Sequence, residues 1–195
     1  MAQPEYWSAA EWSTRRVLRA FLAMRRYYGA FGGLTVYTAA RYGDAPAITD
    51  DDGTVTFRQL DETSNALARG LQANGVRAGG VIGVLNRSSR SVMVTLSAAN
   101  KIGVRVVLMN TGFAAPQLSD VAAREKVSCV VADDEFADLL DVLPEKTARI
   151  TGSQLRELID KQPKASLPAP SPAGRHGAAD QRNHRNPKRS TAQPD

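Results

Sequence analysis

The sequence predicts an α/β protein with a mainly parallel sheet flanked by helices, preceded by an amphipathic helix and followed by a disordered tail. Three observations carry this. Short apolar runs alternate with stretches of helical periodicity, the pattern of βαβ units. The run Val81-Ile82-Gly83-Val84-Leu85 is apolar throughout, as a strand covered on both faces requires. Glycines stand where helices should close, at Gly75 and Gly103.

Taken in order, the chain divides into three regions, at 1–33, 34–161 and 162–195. In the first, Val17, Phe21, Met24 and Tyr28 share one helical face, with Arg15, Arg19 and Arg26 opposite. Leu18 and Leu22 fall off the apolar face, and Gly29, Gly32 and Gly33 are expected to end the helix. Packing on the chain's own domain is the preferred role. Peripheral contact of Arg15, Arg16, Arg19 and Arg26 with an anionic membrane at its inner, cytoplasmic face is the other.

The second region opens with a short helix over 34–42. Two short strands follow, at 47–48 and 55–57, around the turn signal Asp50-Asp51-Asp52-Gly53. Helices are expected over 59–74, 89–102 and 116–126, the second carrying Val92, Leu96, Ala99 and Ile102 inward. Strands are expected at 81–85, 104–109 and 127–132. A helix capped by Asp133 or Asp134 should then run through Leu140, with a strand at 147–151 and a helix at 154–161 after it.

The third region begins with the proline-spaced stretch Leu167-Pro168-Ala169-Pro170-Ser171-Pro172. From Ala173 to Asp195 no apolar residue larger than alanine occurs apart from prolines, so disorder is expected there.

Composition narrows the function classes. The chain has 195 residues, 43% of them hydrophobic and 23% charged, ordinary for a soluble domain. No apolar run is long enough to cross a membrane and the start lacks signal-peptide character, so a cytoplasmic location is expected. The single cysteine, Cys129, lies in an apolar run and reads as a core residue. No metal-ligand spacing exists, and His176 and His184 read as solvated. The net charge of +5 is concentrated at the two ends, but the basic tail has no aromatic residue to stack bases, which argues against nucleic acid.

Collinear stretches over 41–118 carry a resemblance. Arg41-Tyr42-Gly43-Asp44-Ala45-Pro46-Ala47-Ile48 is similar to "RYPDxPAI", and Asp52-Gly53-Thr54-Val55-Thr56-Phe57-Arg58-Gln59-Leu60 to "DGxxTYxEL". Asn65-Ala66-Leu67-Ala68-Arg69-Gly70-Leu71 and Gly75 to Val84 are similar to "NxLAxxLxxxGVxxGDxVAV". Lys101-Ile102-Gly103-Val104, Met109-Asn110 and Gln117-Leu118 are similar to "KxGAxxxxLNxxxxxxQL". Gly43, Phe57, Gln59, Gly80, Val104 and Met109 depart from these patterns at positions without catalytic roles.

The region thus resembles the AMP-forming fatty-acyl-CoA ligases of bacteria, specifically the first part of their large N-terminal domain. The resemblance implies a ligase joining fatty acid to CoA with ATP and Mg2+. The matched stretches are scaffold in that family. Its loop of the form TSGTTGxPKG, which cradles phosphate, has no counterpart here, nor do its later elements. The expectation is therefore that this chain holds no catalytic, cofactor-binding or metal-binding residue and is inactive by itself. The alternatives are half of a split ligase, completed by a separately encoded remainder as its partner, or a basic protein that binds nucleic acid or a membrane surface.

The genetic code suggests a reason. Read one nucleotide later, codons for Asp180 to Arg189 admit Thr-Ser-Gly-Thr-Thr-Gly-Thr-Pro-Lys, and the next codon admits Gly. Those for His176-Gly177-Ala178-Ala179 admit the apolar Met-Val-Leu-Leu. A frameshift between the matched region and His176, truncating the ligase before its phosphate-binding loop, is expected.

Overall fold

The computed structural model describes residues 30–87 and 89–168, together with Leu18 and Leu22. The expectations for the N-terminal arginines and for the tail beyond Pro168 lie outside those residues. Leu18 and Leu22 are helical and exposed, as expected for residues off an apolar face.

Helix α1 spans Ala30–Tyr42. Gly32 and Gly33 lie inside it rather than at a helix end, and Gly29 lies outside the described residues. A Cβ on Gly32 would stand 3.1 Å from the Lys101 backbone nitrogen, so the missing side chain lets α1 approach a later helix closely. Strands β1 (Pro46–Asp50) and β2 (Gly53–Thr56) pair antiparallel around the expected Asp51-Asp52 turn. Helix α2 (Phe57–Ala73) starts with a reciprocal cap. Thr56 Oγ1 accepts from the Gln59 backbone N–H at 3.2 Å, and the Thr56 N–H donates to Gln59 Oε1 at 2.9 Å. Glutamine closes this box as glutamate would, so the departure at Gln59 is neutral.

The body is a parallel sheet. Strands β3 (Val81–Leu85), β4 (Arg105–Leu108), β5 (Cys129–Ala132) and β6 (Ala148–Thr151) lie in the order β4-β3-β5-β6. Helices α3 (Ser89–Lys101), α4 (Ala115–Arg124) and α5 (Gly152–Asp160) follow β3, β4 and β6. Alternate strand residues serve two cores. Ile82, Val84, Cys129, Val131 and Ile150 meet Leu67 and Leu71 of α2, Ala98 of α3 and Leu155 of α5. Val81, Leu85, Val130 and Ala132 meet Leu118 of α4 together with Phe136 and Leu140. Gly75 and Gly103, at φ of 83° and 75°, take the left-handed turns after α2 and α3 that a side chain would strain. The fold class is as the sequence predicts.

Two expectations are corrected. The segment after β5 is not one helix through Leu140 but two 3-10 turns, Asp134–Phe136 and Asp138–Val142. Phe136 and Leu140 are both buried, and the break lets both reach the core. The packed body also continues past 161. Residues 163–167 lie along α2, and Leu167 is buried in the first core. Proline spacing suggested a free linker, whereas backbone carbonyls and one leucine hold this part of it down.

Candidate functional site

Two polar clusters stand out. The first is buried between α2 and α3. Lys101, at the end of α3, has a side chain with no solvent exposure. Its ammonium donates to Asp61 Oδ1 at 2.6 Å, Ser64 Oγ at 2.7 Å, Asn65 Oδ1 at 2.8 Å and the Asp61 carbonyl at 3.1 Å. Burial pulls the Lys101 ammonium below the ordinary lysine value of 10.5, against the opposing pull of the Asp61 carboxylate. The ion remains acceptable because all its protons have acceptors. Asn65 and Lys101 both belong to the sequence motifs, which are read above only as scaffold. Their pairing across 36 positions is the specific job those letters perform. Sequence spacing holds no signal for such a contact.

The second cluster sits at the carboxyl ends of β3 and β5. The chain turns from β3 to β4 on one side and to β5 on the other, so this is the point where the strand order reverses. In doubly wound sheets ligands settle at such a crevice. Here Asp133 ties the two strand ends together, accepting from Asn86 Nδ2 and from the Arg87 backbone N–H, each at 2.6 Å. Arg87 donates to Glu135 at 2.8 Å and lies over the Phe136 ring, 5.2 Å from its centroid. Nearby, Asp134 accepts from the Ser153 backbone N–H at 3.0 Å, at the start of α5. That N–H holds the Asp134 carboxyl below its usual range. Arg90 of α3 reaches the β1–β2 hairpin, donating to Asp50 Oδ1 at 2.6 Å and the Gly53 carbonyl at 2.9 Å.

These groups chiefly bind one another. They weld strand ends, a helix start and a hairpin. Among the described residues no group of three or more His, Cys, Asp or Glu could hold a metal ion. A groove of about 390 Å³ lined by Lys126, Val127, Pro144, Lys146 and Thr147 lies at the opposite, amino-terminal end of β5 and β6. Cys129 is fully buried and burial pushes its thiol up to about 12, so it is no nucleophile. No described helix is long and apolar enough to cross a membrane.

This architecture defines a class: an α/β sheet of the kind found in the N-terminal domain of adenylate-forming enzymes. The sequence match is more specific. Residues 36–194 match the family described as AMP-binding enzyme, and the chain belongs to that family. It is 28% identical over 130 residues to surfactin synthase subunit 3 of Bacillus subtilis (strain 168), covering 67% of this chain and 10% of that protein. It is 24% identical over 159 residues to the medium/long-chain-fatty-acid–CoA ligase FadD6 of Mycobacterium tuberculosis (strain ATCC 25618 / H37Rv), covering 82% of this chain and 27% of that protein. The solved fatty acyl CoA synthetase of Mycobacterium tuberculosis superposes with a TM-score of 0.68 at 21% identity, covering 72% of this chain and 30% of that one. The chain therefore spans about a quarter or less of the length of these curated relatives.

Proposed function

We propose that this chain is the first part of the large domain of a fatty-acyl-CoA ligase and does not activate a carboxylate unaided. Adenylation demands donors wrapped around the ATP phosphates and a cation for the charge that develops there. The observation that carries the reading is the crevice at β3 and β5, where Asp133 accepts from Asn86 Nδ2 and the Arg87 N–H and Arg87 pairs with Glu135, while Asn86 Oδ1 is buried with no partner among the described residues. In the complete ligase ATP, Mg2+ and CoA would be held by residues this chain does not supply. The similarity to FadD6 over most of the chain supports a fatty acid as the acyl group. The similarity to a surfactin synthase subunit makes amino acids the competing class.

The frame-shifted reading of residues 176–189 supports a continuing ligase gene, since it admits the phosphate-binding loop and an apolar strand before it. The test has two arms. Pyrophosphate exchange with the purified chain, ATP and a panel of fatty and amino acids should give no turnover. The same assay on a version restored to the alternative frame should give exchange with fatty acids. Turnover by the chain alone defeats the proposal. A gene that does not encode the loop one nucleotide later defeats the frameshift.

A further inference from the structure

Residues 163–167 follow α5, yet a single arginine collects most of their backbone carbonyls. Arg69 Nη1 donates to the carbonyls of Pro163 at 2.8 Å and Ala165 at 2.7 Å, and Nη2 donates to Ser166 at 3.1 Å. Asn65 Nδ2 donates to the Lys164 carbonyl at 3.3 Å. Leu167 then enters the core at 5% exposure. The grip includes one guanidinium, one amide and one leucine, while residues 163–166 stay exposed. Such a segment buries little and should open at lower cost than the sheet beneath it.

We propose that residues 163–167 form a separately opening latch with Arg69 as its positioning residue, fixing the course of this segment along α2. Asn65 links the latch to Lys101, whose side chain has no solvent exposure. Three strap carbonyls, of Pro163, Ala165 and Ser166, on one guanidinium set direction as well as position, because the fork is planar and rigid.

Lys164 lies within the latch and Arg105 within β4, so trypsin can report both in the full-length chain. Proteolysis tracks the population of the open form when opening is fast. Arg69→Ala should speed cleavage after Lys164 about tenfold or more, the loss of at least one charge-assisted bond. Cleavage after Arg105 should change little. Leu167→Ala should give the same pattern and covers the case in which Arg69→Ala does not fold. Equal acceleration at both sites overturns the proposal, because the segment would then open only with the whole body. Wild-type cleavage after Lys164 as fast as in either variant overturns it too.

Discussion

The Lys101 cluster and the Asp133 cluster use similar chemistry in opposite surroundings. The Lys101 ammonium has no exposure and four acceptors from α2. The Arg87–Glu135 pair beside Asp133 leaves both side chains at least half exposed. Coulomb attraction is strong where water is excluded and weak where it is not. The buried cluster therefore acts as a fixed joint between α2 and α3. The exposed one holds strand ends together and can be rearranged cheaply. The first place is thus a rigid frame and the second a joint open to rearrangement.

The largest effect should come from breaking the joint. Lys101→Met fills the space but strands Asp61 in a partly buried site, and should cost about 3–5 kcal/mol in denaturant unfolding. A loss below about 1 kcal/mol would show that the joint tolerates rearrangement as the exposed cluster does. The same residue carries a pH signature. Its folded value lies below the unfolded 10.5, so between the two the unfolded chain binds more protons. Stability from this group should rise with pH across that window, and the Lys101→Met variant should lack the rise. Comparing the two unfolding curves at successive alkaline pH values checks the sign.

The contrast also separates what the sequence makes legible from what it hides. Periodicity placed β3 as a fully buried strand, and Val81–Leu85 is buried at every position. The glycines at 75 and 103 announced the ends of α2 and α3 because only backbone freedom explains them. Gly32 was misleading, since close helix packing and helix termination both select glycine. The Lys101–Asn65 contact was invisible because it joins distant positions through geometry that only the folded sheet creates. The strap at 163–167 was hidden for another reason: it is held through carbonyls, which every residue has. The candidate crevice was missed as well, because Asn86 and Asp133 are ordinary loop residues until β3 and β5 become neighbours.

A middle-sized effect should follow from the strand weld. Asp133→Ala removes the acceptor for Asn86 Nδ2 and the Arg87 N–H, and should cost about 1–3 kcal/mol. A loss as large as that from Lys101→Met would mean the crevice is as rigid as the frame. The Arg87–Glu135 pair should contribute less, about 0.2–1 kcal/mol in a double-mutant cycle. Raising the salt concentration should shrink that coupling further.

The smallest expected effect is at Asp134, and it tests whether solvent exposure governs the ranking. Its carboxylate accepts the Ser153 backbone N–H and hydroxyl at the start of α5, and that N–H lowers its pKa from 3.8. A depressed folded value means the unfolded chain takes up a proton first as the solution is acidified. The contribution is therefore present above 3.8 and is lost as pH falls through the lower folded value. Asp134→Asn should flatten that acid limb while leaving stability near neutral pH little changed, because an amide oxygen still accepts at a helix start. Thermal unfolding of both proteins across the acid range measures the difference. An Asp134→Asn protein that loses as much at neutral pH as the Asp133→Ala protein would break the ranking. A charge in water would then be stabilising the fold as strongly as one shielded from it.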